Sequence, residues 1–326
     1  QFHIYAIGTE ECLNSIAKSV IVHSKKEWES TVKEILGSSY EMLCGHALQA
    51  SGFFATHNAV FAHRGIVPLL RNVRSSAVAT GLSLGAPGTK LGNKGGVGIS
   101  FSLGVTSCIF VNSHLAAHQT NVRERNDHFF QISSELQQQQ SECLPSPSNR
   151  GDSIGHPLRR ARAERIGGGS NGSSSSGRAR GGRGGERSNS NNSNSLTLPE
   201  VFDRVVWAGD LNYRVNVPRG AADLLLSRDM HGVLLKNEQL TIERDRGGPL
   251  APFAGYREGP LNFRPTYKFD SGSDTYDTSS KRRVPAWTDR KGALGADKLH
   301  LRAYRSVPDL RTSDHRPVIA SFVMEF

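Results

Sequence analysis

The chain lacks the features that define several protein classes. Its four cysteines, Cys12, Cys44, Cys108 and Cys143, include no Cys-x-x-Cys pair among 326 residues, so zinc ribbons, dithiol redox motifs and a disulfide framework are not predicted. No apolar run approaches the roughly 18 to 20 residues that span a bilayer, and no signal peptide is visible at Gln1. From these absences we expect a reducing, intracellular setting.

Positive charge is abundant but unevenly distributed. Of the net charge of +10, nine arginines and three acids between Arg150 and Arg187 contribute +6. Residues 141–195 are rich in Ser, Gly, Asn and Arg and cannot bury enough apolar surface to offset the entropy of ordering. We therefore predict a disordered insertion at 141–195 within one domain formed by residues 1–140 and 196–326. The insertion could be a solvated linker, a contact for anionic lipid or a weak RNA contact. Because the rest of the chain is only mildly basic, nucleic acid is not the predicted partner.

Outside the insertion, strands and helices alternate irregularly. Strand patterns occur at Phe2 to Gly8, Gly96 to Leu103 and Cys108 to Asn112, and helical patterns at Asn121 to Gln140 and Ala221 to Leu235. Several strands follow one another as hairpin-like pairs. This order favours an α/β sandwich over a doubly wound parallel sheet.

Two C-terminal segments place polar side chains directly beside apolar runs. In WAGDLNYR, Asp210 and Asn212 follow Val205 to Ala208, and in TSDHRPV, Asp314 and His315 precede another apolar run. Side chains two residues apart in a strand lie on the same face of the sheet. A carboxylate that activates water, an amide that orients it and an Asp-His pair that meets a phosphate suit phosphate-ester cleavage.

Six motifs in one order carry a family resemblance: LGNKGGVGISF (Leu91 to Phe101), NSHLAAH (Asn112 to His118), GDLNYR, PTYKFD (Pro265 to Asp270), PAWTDR (Pro285 to Arg290) and SDHRPV. Together they resemble the inositol polyphosphate 5-phosphatase catalytic domain of the endonuclease/exonuclease/phosphatase superfamily. The resemblance implies a four-layered α/β sandwich, in which helices flank two packed β-sheets. It also implies Mg²⁺-dependent removal of the 5-phosphate from phosphoinositides or soluble inositol phosphates.

The resemblance also implies a role for each matching residue. Glu11, in IGTEE, corresponds to the metal-binding Glu of the family's Gly-Thr-Gln-Glu or Gly-Phe-Gln-Glu, and a single carboxylate suits a Mg²⁺ that shares its other sites with phosphate and water. Asp210 would activate the water and Asn212 would orient it. His114 and His315 would contact the scissile phosphate, with His315 held by Asp314 or another carboxylate. The predicted substrate-binding residues are Lys94, Arg214, Tyr267, Lys268, Lys281 and Arg290, of which Tyr267, Lys268 and Lys281 match the family's 4-phosphate cluster.

Two departures from the family pattern bear on function. Thr288 stands where PAWTDR usually has Cys, a small change in packing. The family's first strand, whose Trp-Asn motif supplies an Asn to the metal site, should precede Phe2 and is absent from this sequence. We expect a truncated form of a complete enzyme, because the later catalytic residues are all present, and a catalytically crippled phosphoinositide-binding or RNA-binding protein stays open as an alternative. A metal-dependent nuclease of the same superfamily is the other alternative, although it would not need Tyr267 and Lys268. For the phosphatase we expect a cytoplasmic location, peripheral at the cytosolic face of anionic membranes.

Overall fold

A computed structural model describes residues 2–11, 23–50, 53–83, 90–91, 94–141, 198–248, 251–294 and 298–326. The predicted insertion lies outside the described residues, apart from Ser141 at the end of a helix. Within the described residues, no helix is long and apolar enough to cross a membrane.

The largest element is a six-stranded sheet in which only one neighbouring pair of strands is parallel, β8 and β9. Its strand order is β10 (Arg257–Glu258), β11 (Asp289–Leu294), β9 (Arg204–Asp210), β8 (Thr106–His114), β7 (Gly95–Leu103) and β4 (Leu70–Ala79). Alternation of side chains gives this sheet two apolar faces, so both faces are covered by other layers.

The first face of the six-stranded sheet packs against helices. Ile109 and Val111 of β8 share one buried cluster with Ile132 and Leu136 of helix α2 (Val122–Ser141). The short helix α3 (Leu198–Val201) joins the same cluster. The 3.6-residue periodicity of α2 predicted this contact, and the helix begins one residue later and ends one residue later than predicted.

A second sheet layer covers the other face. It contains a three-stranded sheet, in the order β1 (Ile4–Glu10), β3 (Phe53–His63) and β2 (Tyr40–Ala50), and the hairpin β12 (Leu299–Ser306) and β13 (Val318–Met324). Asn112 Nδ2 donates to His57 O at 2.8 Å, and Asn58 Nδ2 donates to Phe110 O at 3.0 Å. These two buried amides fix the layers against each other, so side chains from β1 meet those from β8, β9 and β11.

Helix α1 (His23–Leu36) lies beside β2 and completes four layers: helix, sheet, sheet, helix. The predicted α/β sandwich is confirmed. The two-residue strands β5 (Leu82–Ser83) and β6 (Lys90–Leu91) pair with each other. Strand β2 was not predicted, because Gly45, His46 and Gln49 interrupt its apolar alternation.

The helix predicted at Ala221 to Leu235 is two helices. They are α4 (Arg219–Ser227) and α5 (His231–Leu235), and helix α6 (Gln239–Asp245) follows. The break falls at Asp229, whose φ of 52° lies in the left-handed region. Asp tolerates this region better than most residues, so the chain reverses there without a glycine.

Candidate active site

Three polar side chains form a row across the carboxyl ends of β8 and β9 and the first residue of β11. His114 pairs with Asp210, and Asp210 pairs with Asp289, in the register of the sheet. Paired residues on neighbouring strands point to the same face, and this face is the one that meets the second sheet layer. The row therefore lies where the two sheets meet.

Asp210 is held by Asn212 and lies beside His114. Its two carboxylate oxygens each accept a 3.0 Å hydrogen bond from Asn212, one from the backbone N–H and one from Nδ2. His114 Nε2 lies 3.3 Å from Asp210 Oδ2. Burial raises the pKa of Asp210, but the hydrogen bond with His114 and the electrostatic effects of His114, His315 and Lys94 outweigh burial and hold this pKa well below its usual range. Asp210 is therefore a buried carboxylate at neutral pH.

Close approach of two strands explains why a glycine, Gly209, precedes Asp210. Its φ is 135°, and a Cβ at this position would lie 2.0 Å from Ser113 O on the neighbouring strand. We expect Gly209→Ala to cost about 3 kcal/mol of the free energy of unfolding, from backbone strain and the forced separation of β8 from β9. Gly220→Ala is the matched control, because no atom lies within 4 Å of its Cβ position. Urea denaturation of both variants tests this, and equal stabilities would contradict it.

His315 is held by Asp289, the carboxylate that the sequence left unnamed. His315 Nδ1 lies 3.0 Å from Asp289 Oδ2, which also accepts hydrogen bonds from the hydroxyls of Thr288 and Thr266. Asp314 instead pairs with Lys268. The prediction named Asp314 or another carboxylate as the partner of His315. In the structure the partner is Asp289, and Asp314 pairs with Lys268.

The Asp289 contact sets the charge of His315. Burial lowers the pKa of His315, but Asp289, with smaller contributions from Asp210 and Asp314, raises it to about 9. We expect Asp289→Asn to move this pKa back toward the usual 6.5, as followed by the NMR shift of the imidazole, with His315→Gln identifying the signal. An unchanged pKa would contradict the assignment.

The same shift predicts how stability depends on pH. A raised folded-state pKa contributes stability that is complete below pH 6.5 and is lost as the pH rises to about 9. In the wild-type protein this contribution is at most roughly 3 kcal/mol. Denaturation at pH 6 and pH 9 should show a smaller fall for Asp289→Asn than for wild type, and equal falls would count against the Asp289 contact.

Glu10, rather than its neighbour Glu11, faces the row of polar residues. Glu10 ends β1, and its Oε1 is enclosed and has no hydrogen-bond partner. Burial, followed by the charges of Asp210 and Asp289, raises the pKa of Glu10 to about 8. The side chain of Glu11, the predicted metal ligand, is 59% exposed, and its Oε1 lies 3.8 Å from Lys94 Nζ. The sequence missed Glu10 because two adjacent acids cannot be ranked without the orientation of the strand.

The site can receive a hard cation through few protein ligands. Among the described residues, no group of three or more His, Cys, Asp or Glu side chains is arranged to hold a metal ion. Glu10 Oε1, which has no hydrogen-bond partner, is nevertheless the kind of oxygen ligand that Mg²⁺ prefers, and Asp210 and Asp289 lie near it. A bound Mg²⁺ usually keeps several waters. The residues therefore fit a largely hydrated cation bound through one or two carboxylates.

Three of the predicted substrate-binding residues lie next to the catalytic candidates. Lys94 Nζ lies 3.3 Å from His114 Nδ1, and burial lowers the pKa of Lys94. The Tyr267 ring lies 4.6 Å from the ring of His315, and Lys268 pairs with Asp314. A phenol and two amines thus border the two imidazoles.

Arg214 and Arg290 have structural partners instead. Arg214 Nε donates to Asn212 O at 3.0 Å, and its guanidinium lies 4.4 Å from the centre of the Tyr267 ring. Arg214 therefore holds Asn212 and Tyr267 in position through these two contacts. The prediction that Arg290 binds substrate is wrong. Arg290 follows Asp289 in β11, so its side chain points to the face of the sheet opposite the active site. There it makes two 2.6 Å hydrogen bonds with Glu258.

Two further lysines differ in their relation to the site. Lys281 is exposed in the loop before PAWTDR, and its side chain makes no ion pair with the described part of the chain. Lys291 shares the inward face of β11 with Asp289. Burial lowers the pKa of Lys291, while the charge of Glu10 raises it. Lys291 was missed because one lysine after a motif carries no distinguishing signal.

A family model, Endonuclease/Exonuclease/phosphatase family 2, matches residues 1–321. The chain belongs to this family. Inositol-1,4,5-trisphosphate 5-phosphatase 1 of Schizosaccharomyces pombe is 32% identical over 325 residues, which are 98% of this chain and 24% of that protein. Phosphatidylinositol polyphosphate 5-phosphatase type IV of Rattus norvegicus is 29% identical, over 98% of this chain and 40% of that protein.

One solved structure adds a bound ligand to the comparison. It is the inositol polyphosphate 5-phosphatase domain of SPsynaptojanin in complex with inositol (1,4)-bisphosphate and calcium ion. It is 31% identical, with a TM-score of 0.68 over 98% of this chain and 74% of that one. The predicted membership of the endonuclease/exonuclease/phosphatase superfamily is confirmed. The chain spans well under half the length of the two curated relatives named here.

Proposed function

We propose that this chain removes the 5-phosphate from inositol phosphates and phosphoinositides by attack of water. The observation that carries the proposal is the His114-Asp210-Asp289 row, with His315 held by Asp289. The carboxylates of Asp210 and Asp289 and the imidazoles of His114 and His315 lie together in this row, and this grouping supports the proposal that a phosphate binds beside them. Tyr267 and Lys268 lie beside His315, as a second phosphate on the neighbouring ring carbon would require.

Each group has a part in this reaction. Asp210, kept ionised by its neighbours, accepts a proton from water, and Asn212 fixes the orientation of the carboxylate. His315 carries a positive charge at neutral pH and stabilises negative charge on the phosphate oxygens. His114 and Lys94 add a further hydrogen-bond donor and a further charge. Phosphoryl transfer depends mainly on such positioning and charge neutralisation.

A divalent cation is part of the proposal, and Mg²⁺ is the predicted ion. When bound, it would neutralise charge on the scissile phosphate. Glu10 is the better placed of the two neighbouring acids to hold it, because its enclosed Oε1 has no partner.

The proposed substrates are phosphatidylinositol 4,5-bisphosphate, the 3,4,5-trisphosphate and their soluble counterparts. Loss of the 5-phosphate from inositol 1,4,5-trisphosphate leaves inositol 1,4-bisphosphate, which is the ligand bound in the SPsynaptojanin domain. The Lys268–Asp314 pair would open to bind the 4-phosphate, since an ammonium binds a dianion more strongly than a single carboxylate. For lipid substrates we propose a peripheral location at the cytosolic face of membranes.

The test compares two substrates at equal concentration with Mg²⁺. One is inositol 1,4,5-trisphosphate, with the product identified by ³¹P NMR, and the other is duplex DNA with an abasic site. We expect loss of the 5-phosphate and intact DNA. Cleavage of DNA with no phosphate release would support the nuclease alternative, and binding of the trisphosphate without turnover would support the non-catalytic one.

A further inference from the structure

The α4–α5 turn presents three large apolar side chains to solvent. Leu224 is 51% exposed, Met230 is 43% exposed and Val233 is 40% exposed. The Met230 N–H donates to Leu225 O at 2.9 Å, and the Val233 N–H donates to Met230 O at 3.2 Å. All three residues therefore belong to one helix-turn-helix segment that backbone hydrogen bonds hold together. We call residues 219–236 the α4–α5 surface.

The other side of this surface is firmly packed. Ala222, Leu226 and Leu234 are buried in one cluster with Trp287. Arg264 secures the turn, since its Nη1 lies 3.1 Å from Asp229 Oδ1. The apolar exposure is consequently a feature of the fold, because Ala222, Leu226 and Leu234 of the same two helices are buried and set the direction of the helices.

Positive charge surrounds these apolar side chains. Four exposed basic residues lie on or beside the α4–α5 surface, against the two carboxylates of Asp223 and Asp229, which gives a net charge of +2. The four are Arg228, Lys236, Arg264 and Arg282. Apolar side chains within a basic rim match the interface of an anionic lipid leaflet, where apolar groups enter the acyl boundary and cations meet the headgroups.

Direct contacts connect this surface to the substrate side of the active site. Arg219, the first residue of α4, bonds Asp223 at 2.7 Å and donates to Asp277 O at 2.8 Å. The backbone N–H of Asp277 donates to Lys268 O at 2.9 Å. These contacts connect the first turn of α4 to the segment that carries Lys268.

We propose that the α4–α5 surface docks on anionic membrane. Leu224, Met230 and Val233 enter the interface, and the basic residues contact acidic headgroups. The proposed occupant is lipid, because the net positive charge around the three apolar residues complements an anionic leaflet. The inference rests on the proposed function only for the choice of a phosphoinositide-bearing leaflet, since docking itself requires no turnover.

The experiment is co-sedimentation of the full chain with vesicles of phosphatidylcholine alone or of equal parts of phosphatidylcholine and phosphatidylserine, neither of which contains phosphoinositide. We expect binding only to the acidic vesicles. The variant Leu224→Ser/Met230→Ser/Val233→Ser should bind at least ten-fold more weakly. The matched control is Ile35→Ser/Leu69→Ser/Val105→Ser, which alters three exposed apolar residues elsewhere and should bind as wild type does.

Two further measurements make the result decisive. Thermal unfolding and turnover of soluble inositol 1,4,5-trisphosphate should be unchanged in both triple variants, which separates docking from folding and chemistry. Equal vesicle binding by the first variant and wild type would overturn the proposal, as would binding that disappears only when the arginines between 150 and 187 become glutamine. Docking by a protein that releases no phosphate would refute the proposed function and leave this inference standing.

Discussion

Replacing Asp210 with asparagine is expected to lower kcat for phosphate release by about a thousand-fold, within the range for loss of a general base. The substitution keeps the shape of the side chain and one acceptor oxygen for Asn212. It removes the negative charge that accepts the proton and that faces His114, His315 and Lys94. Because the loss concerns a group used in the transition state, kcat and kcat/KM should fall together.

The control for this variant is Asp309→Asn, which changes an exposed acid in the loop before β13 and should retain full activity. Thermal unfolding must show that Asp210→Asn is folded. Activity within three-fold of wild type in a folded Asp210→Asn protein would contradict the assignment of Asp210 as the base.

Replacing Glu10 with glutamine is expected to weaken Mg²⁺ binding at least ten-fold, or about 1.4 kcal/mol of binding free energy. Titration calorimetry without substrate measures this independently of turnover. Glu11→Gln is the matched control, because it removes the neighbouring acid that the family motif favours and that is 59% exposed in this structure. Equal losses in the two variants, or a larger loss for Glu11→Gln, would return the metal site to Glu11.

The same variant should be more stable than wild type when no metal is present. The pKa of Glu10 is raised from 4.5 to about 8, so the folded state resists ionisation of this acid while the unfolded chain does not. Ionisation of Glu10 therefore lowers the stability of wild type as the pH rises from 4.5 to 8, and Glu10→Gln lacks this one contribution while it keeps that of His315. Urea denaturation with chelator at pH 5 and pH 8 should show a gap between the proteins that is larger at pH 8.

Many of the candidate catalytic residues could be predicted from the sequence, because short motifs determine local geometry. In GDLN, the motif predicted that Asp210 and Asn212 lie together, but strand alternation is not the cause, because β9 ends at Asp210. The left-handed φ of 57° at Asn212 turns the chain there, and the Asn212 N–H donates to Asp210 Oδ1 at 3.0 Å. The sequence could not determine which acid would meet His315. The answer depends on the sheet register that sets Asp289 beside Asp210, a contact between segments 79 residues apart.

The incorrect prediction for Arg290 has a physical cause, which is the direction of a side chain within a strand. Arg290 stands next to Asp289 in a motif that borders the site, yet adjacent strand residues face opposite ways, and Arg290 pairs with Glu258 and Glu238. Glu11 follows the last residue of β1 and has a left-handed φ of 49°, so its direction could not be read from the strand pattern, and its role as the metal ligand stays a prediction. Motif membership predicted that these residues lie near the site, whereas only the register of the strands shows which of them face it.

The central claim is best tested by phosphate release from short-chain phosphatidylinositol 4,5-bisphosphate, with Mg²⁺ and with chelator, for wild type and Asp210→Asn. Mass spectrometry and ³¹P NMR would identify the product. The account predicts Mg²⁺-dependent formation of phosphatidylinositol 4-phosphate that is lost with chelator and in the variant. Release of the 4-phosphate, release that persists with chelator, or no release from folded wild-type protein would contradict it.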